Sequence, residues 1–62
     1  MKIKVGTLFI AKDKLGNQYT YRLDSINPFD TSRKFILANL TNDTETRVEA
    51  EWFRQRQIKV IG

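Results

Sequence analysis

Apolar and polar positions alternate with a period of two along most of the chain, which predicts strands rather than helices. Lys2 to Val5 alternates lysine with Ile3 and Val5, and after Gly6 the run Thr7-Leu8-Phe9-Ile10-Ala11 is rich in strand formers, so a first strand is expected over Thr7 to Lys12. Asp13-Lys14-Leu15-Gly16-Asn17 supplies a hairpin loop in which Gly16 can take positive φ. In Gln18 to Asp24 the period is again two, with Tyr19, Tyr21 and Leu23 on one face and Thr20, Arg22 and Asp24 on the other. Ser25 and Ile26 break that phase, the mark of a bulge or bend that curls a small sheet. Asn27 to Ser32, with Pro28 lacking a ladder donor, is a loop.

Arg33 to Leu40 carries apolar residues at both parities, as expected of a central strand covered on both faces or of a strongly curved one. Thr41 to Thr44 makes a tight turn, and Glu45 to Ala50 is a fourth strand with Thr46 and Val48 opposite Glu45 and Arg47. A helical turn is expected over Glu51 to Gln57, with Glu49 and Glu51 at its start and Arg54 and Arg56 at its end, matching the helix dipole. So short a helix needs an anchor, and Phe53 or Trp52 must insert into the barrel mouth to hold it. Ile58 to Ile61 resumes strand, and Val48, Phe53, Ile58 and Val60 are the expected closing contacts. This order predicts a mostly β fold, a small five-stranded SH3-like barrel with one short helical turn before the last strand, as a single domain over residues 1–62. An OB-like barrel ranks second, since it needs more chain and a longer helix.

Composition narrows the chemistry. A chain of 62 residues buries only about 60% of its unfolded surface, so every element shares one core. It has no cysteine and no histidine, which removes disulfides, thiolate and imidazole metal sites and imidazole acid–base catalysis. The acids are spread over turns and exposed strand positions, with no glycine-rich phosphate loop beside them, so no catalytic residue, metal site, cofactor or small-molecule substrate is expected. The apolar run from Leu8 to Ala11 is too short for a signal or a membrane helix, which predicts a soluble cytoplasmic protein with no membrane partner. The triplets Asn39-Leu40-Thr41 and Asn42-Asp43-Thr44 match the glycosylation pattern but read as turn chemistry.

Val5-Gly6-Thr7-Leu8-Phe9-Ile10, the Asp13 to Tyr19 turn with Gly16, and the closing Glu51 to Ile58 segment resemble small uncharacterised SH3-like barrel proteins from phages and mobile elements of Gram-positive bacteria. The resemblance covers most of the chain outside the Phe29 to Lys34 loop. It implies a fold and a phage or mobile-element setting and carries no catalytic residues; with the charge and aromatics it leads to the expectation of an accessory or regulatory binding module.

The formal net charge of +4 favours an anionic partner. Under a nucleic-acid reading, Arg33, Lys34, Arg54 and Arg56 neutralise phosphates while Trp52 or Tyr21 offers a stacking face. The alternative is a protein-interaction or inhibitor module in which Phe29, Tyr21 and Trp52 form an exposed aromatic patch. In either case the chain is expected as a monomer or a weak dimer through its edge strands. Mutating Arg54 and Arg56 together is the test that the sequence suggests, since Trp52 serves folding as well.

Overall fold

The computed structural model describes residues 3–26 and 34–62. Five antiparallel strands form one sheet: β1 (Leu8–Lys12), β2 (Gln18–Ile26), β3 (Phe35–Asn39), β4 (Thr44–Val48) and β5 (Gln57–Val60), with helix α1 (Ala50–Arg54) between the last two. The strand order is β4-β3-β2-β1-β5, so the chain ends beside the strand it begins with. This is the expected small β fold with one short helix before the last strand. Among the described residues β4 and β5 are the sheet's two edges, and α1 crosses between them.

The loop between β1 and β2 is built by Asp13. Its Oδ1 accepts from the Leu15 N–H at 2.9 Å and the Asn17 N–H at 3.0 Å, while its own N–H donates to the Asn17 carbonyl at 2.9 Å. Gly16 takes φ of +88°, the conformation for which glycine was read in the sequence. The register then pairs Lys12 with Gln18 and Phe9 with Tyr21. Between Leu23 and Ser25 the pairing of β2 with β3 slips by one residue, which is the bulge that the broken alternation predicted.

The inward face of β2 carries Tyr19, Tyr21 and Leu23, as the period-two pattern required, and Phe9, Ala11, Leu37, Val48 and Phe53 complete the core. Strand β3 is not covered on both sides: Leu37 and Asn39 are buried, while Ile36 and Ala38 on the other face are half-exposed. Asn39 is the one buried polar residue among those described, and its Oδ1 accepts from the Thr41 and Asn42 N–H groups at 3.0 Å each. That bond pair shapes the turn into β4, where Asp43 sits at φ +56°.

Helix α1 is shorter than expected and starts one residue earlier. Glu49 caps it without a side-chain hydrogen bond, and at the other end the Arg56 N–H reaches back only three residues, to the Phe53 carbonyl, at 3.3 Å. Pairing of Gln57 with Lys12 then draws the chain into β5. Of the two candidate anchors, Phe53 is buried and lies 5.8 Å from Phe9 and 5.1 Å from Phe35 between ring centroids. Trp52 stays half-exposed. Val60, expected among the closing contacts, is 54% exposed because β5 is an edge strand and nothing among the described residues covers it there. The loop expected at Asn27 to Ser32, and Arg33 at the expected start of the third strand, lie outside the described residues.

Removing the Phe53 ring takes away the contact that ties α1 to both β1 and β3. Phe53→Ala is expected to cost about 3–5 kcal/mol, against a total of about 3–9 kcal/mol for a domain of this size. Urea denaturation followed by circular dichroism should show a midpoint lowered by about a third or more. A loss below about 1 kcal/mol would mean that the helix is not the tie that this packing describes.

Candidate functional site

Pairing of β5 with β1 brings two basic segments that are far apart in sequence to one place. Lys12 and Lys14 bracket Asp13 at the start of the first hairpin loop, and Arg54 and Arg56 follow on the last turn of α1 and its exit. Together with Leu15, Gly16, Gln55 and Gln57 they line a groove of about 560 Å³. Four cations face it, against the carboxylates of Asp13 within it and of Glu51, which lies 3.3 Å from Arg54.

The two acids are engaged in different ways. Burial pushes the Asp13 carboxyl up, but hydrogen bonds from Asn17 and the Leu15 N–H, with the charge of Arg56 nearby, hold it below its ordinary value of 3.8. Its Oδ1 binds the loop backbone, and its Oδ2 accepts from the Asn17 side-chain amide at 3.4 Å. Glu51 makes an exposed pair with Arg54, whose side chain is 75% exposed, and such a pair is readily exchanged for another anion.

Arg56 is placed otherwise. Its guanidinium carbon lies 4.3 Å from the centroid of the Trp52 ring and its Nη1 donates to the Trp52 carbonyl at 3.2 Å. The indole edge-packs against Tyr21 at 5.2 Å and Phe53 at 5.0 Å. Trp52 therefore has Arg56 on its ring and core aromatics at its edge. Arg56 is at once part of the groove wall and part of the scaffold.

Tyr21 is corrected as a site residue. It is 6% exposed, stacked on Phe9 at 5.6 Å between centroids, and offers no face to a base or to a protein partner. Burial raises its pKa, with the Arg56 charge opposing and Tyr19 and Asp13 adding to the rise. Lys34 is exposed just ahead of β3, and it is not among the residues lining the basic groove. Arg33 and Phe29 lie outside the described residues, so the aromatic patch of Phe29, Tyr21 and Trp52 is reduced to half-exposed Trp52 among those described.

Other cations are occupied by neighbours on their own strands. Arg22 pairs with Asp24 at 2.6 Å, and Arg47 lies 3.7 Å from Glu45. Lys12 and Lys14, by contrast, make no ion pair among the described residues. The sequence sets Lys12 at the end of the first strand and Lys14 in the hairpin loop without marking either as a site residue. The signal that locates them is the β1–β5 pairing, which sets Lys12 opposite Gln57.

A second concavity, of about 570 Å³, opens where α1 and β5 face the start of β3. Its floor is apolar, from Ile3, Phe35, Phe53, Ile58 and Val60, with Arg54 and Arg56 on its rim. No group of three or more His, Cys, Asp or Glu side chains converges among the described residues, and no helix there is long and apolar enough to cross a membrane. Compared with protein-family models, curated proteins and solved structures, the chain finds no significant match.

Two outcomes are expected. Because the folded pKa of Asp13 is depressed, its contribution to loop order is present above the unfolded value of 3.8 and is lost as pH falls through the lower folded value. Exchange protection of the Leu15 and Asn17 amides should fall over that window, and Asp13→Ala should remove the pH dependence. Arg56→Ala should shift Trp52 fluorescence to the red with little loss of stability, about 0.5–1 kcal/mol. Unchanged emission would mean that the stack does not persist in solution.

Proposed function

We propose that the protein is a small non-enzymatic binding module that grips a nucleic acid by its phosphates in the groove between the first hairpin loop and the exit of α1. The observation that carries this reading is the convergence of Lys12, Lys14, Arg54 and Arg56 on one groove whose single lining acid among the described residues, Asp13, is held through Oδ1 by the loop backbone. Cations so placed neutralise phosphates and release counterions. Tyr21 is buried and Trp52 carries Arg56 on its ring, so contact here rests on charge rather than on base stacking. An accessory or regulatory role in a phage or mobile element belongs to the same proposal and is supported by the sequence resemblance alone.

The apolar concavity rimmed by Arg54 and Arg56 favours a second reading, a protein-interaction module that seats a partner's apolar side chain beside the β5 edge. The two readings separate by salt. Phosphate binding weakens steeply as ionic strength rises, whereas an apolar interface persists.

NMR titration with short DNA and RNA, single- and double-stranded, at low and moderate salt tests the leading reading. Shifts should centre on Lys12 to Gly16 and Arg54 to Gln57, and three or four phosphate contacts predict a slope of log K against log salt of about −3 on duplex DNA. Lys12→Ala, Lys14→Ala and Arg54→Ala together should abolish binding with an unchanged melting temperature. Arg56 is left intact because its removal disturbs Trp52. An absence of shifts at low salt with every nucleic acid would overturn the reading.

A further inference from the structure

Leu15 stands at the tip of the β1–β2 loop with 87% of its surface exposed, between Lys14 and Gly16. A single exposed leucine is ordinary on a protein surface. This one is held in place. Its own N–H donates to Asp13 Oδ1 at 2.9 Å, the Asn17 N–H donates to the same oxygen at 3.0 Å, and the Gly16 N–H donates to the Asp13 carbonyl at 3.1 Å. The loop thus spends a carboxylate and a positive-φ glycine on presenting an apolar side chain to solvent. It does so on the wall of the basic groove, where Leu15 lines the same space as Lys12, Lys14, Arg54 and Arg56.

We infer that Leu15 is a wedge that enters the minor groove of duplex DNA and partly unstacks a base step, while the surrounding cations hold the flanking phosphates. The inference rests on the phosphate-binding reading above and names its substrate class as double-stranded DNA. An apolar side chain inserted between base steps kinks the duplex toward the major groove and so wraps more of it against the protein. Burying Leu15 between bases offsets part of the unstacking, and the cost is lowest at flexible pyrimidine–purine steps. Single strands gain little from such a wedge. Duplex RNA gains little too, because its shallow minor groove is read by shape and hydroxyl contacts.

The test uses the full chain with a duplex of about 20 bp labelled at both ends, so that a bend is read by end-to-end energy transfer. Leu15→Ala should fold as the parent does, weaken duplex binding on the order of tenfold and remove the bend. The salt slope should stay the same, because no charge is lost. Leu15→Met should restore both affinity and bend. If Leu15→Ala leaves duplex affinity and bend unchanged, or weakens single-stranded DNA and duplex RNA equally, the wedge is overturned and the phosphate-binding reading stands. If no nucleic acid binds at low salt, both are overturned.

Discussion

The packing of Phe53 against Phe9 and Phe35 is the contact on which the rest of this domain depends. β4 and β5 are not paired with each other, so the sheet's ends are related through the helix between them. One ring on that helix meets β1 at 5.8 Å and β3 at 5.1 Å between centroids. A five-residue helix has no stability of its own. Its order is therefore borrowed from this contact, and the positions of Trp52, Arg54 and Arg56 are borrowed in turn. The site and the core share this anchor, with the edge contact of Trp52 on Tyr21 at 5.2 Å beside it.

The polar groups that shape the fold do so by satisfying backbone donors, which suits a chain with so little interior. Asn39 is buried at the end of β3 and closes the next turn with two hydrogen bonds from the backbone. Asp13 performs the same service for the first hairpin loop. In both cases a short polar side chain replaces contacts that a larger domain would draw from apolar packing. No buried side-chain nitrogen or oxygen is left without a partner among the described residues.

Most of the fold was legible because strand period and turn chemistry are local signals. Tyr19, Tyr21 and Leu23 marked the inward face of β2, Ser25 marked the slip in register, and Gly16 marked the positive-φ turn. The helix limits were less legible, since Gln57 leaves the helix for a partner, Lys12, that is distant in sequence. Val60 misled for a related reason: its alternation with Ile58 identifies the inward face, but exposure at an edge depends on what lies alongside. The site was the least legible part. Tyr21 has the composition of a binding aromatic, and only its stack on Phe9 shows that it belongs to the core. Lys12 and Lys14 had no mark of their own until β5 was set beside β1.

Charge placement, rather than charge count, is what separates the hairpin end of the molecule from its other surfaces. On the outer face, Arg22 and Arg47 are matched by Asp24 and Glu45 two residues away on the same strands, an arrangement that is close to neutral at any distance longer than the pairs themselves. At the loop, Asp13 stands between two lysines as it would in such a pair, yet its Oδ1 is taken by the Leu15 and Asn17 N–H groups and its Oδ2 accepts from the Asn17 side-chain amide at 3.4 Å. A carboxylate bound to N–H dipoles still carries its charge, but it is held by the loop's own donors and makes no ion pair with either lysine among the described residues. The same bonds fix Leu15 outward. One side chain therefore both leaves the cations available to an anion and sets the apolar tip between them, which ties the electrostatics of this groove to its shape.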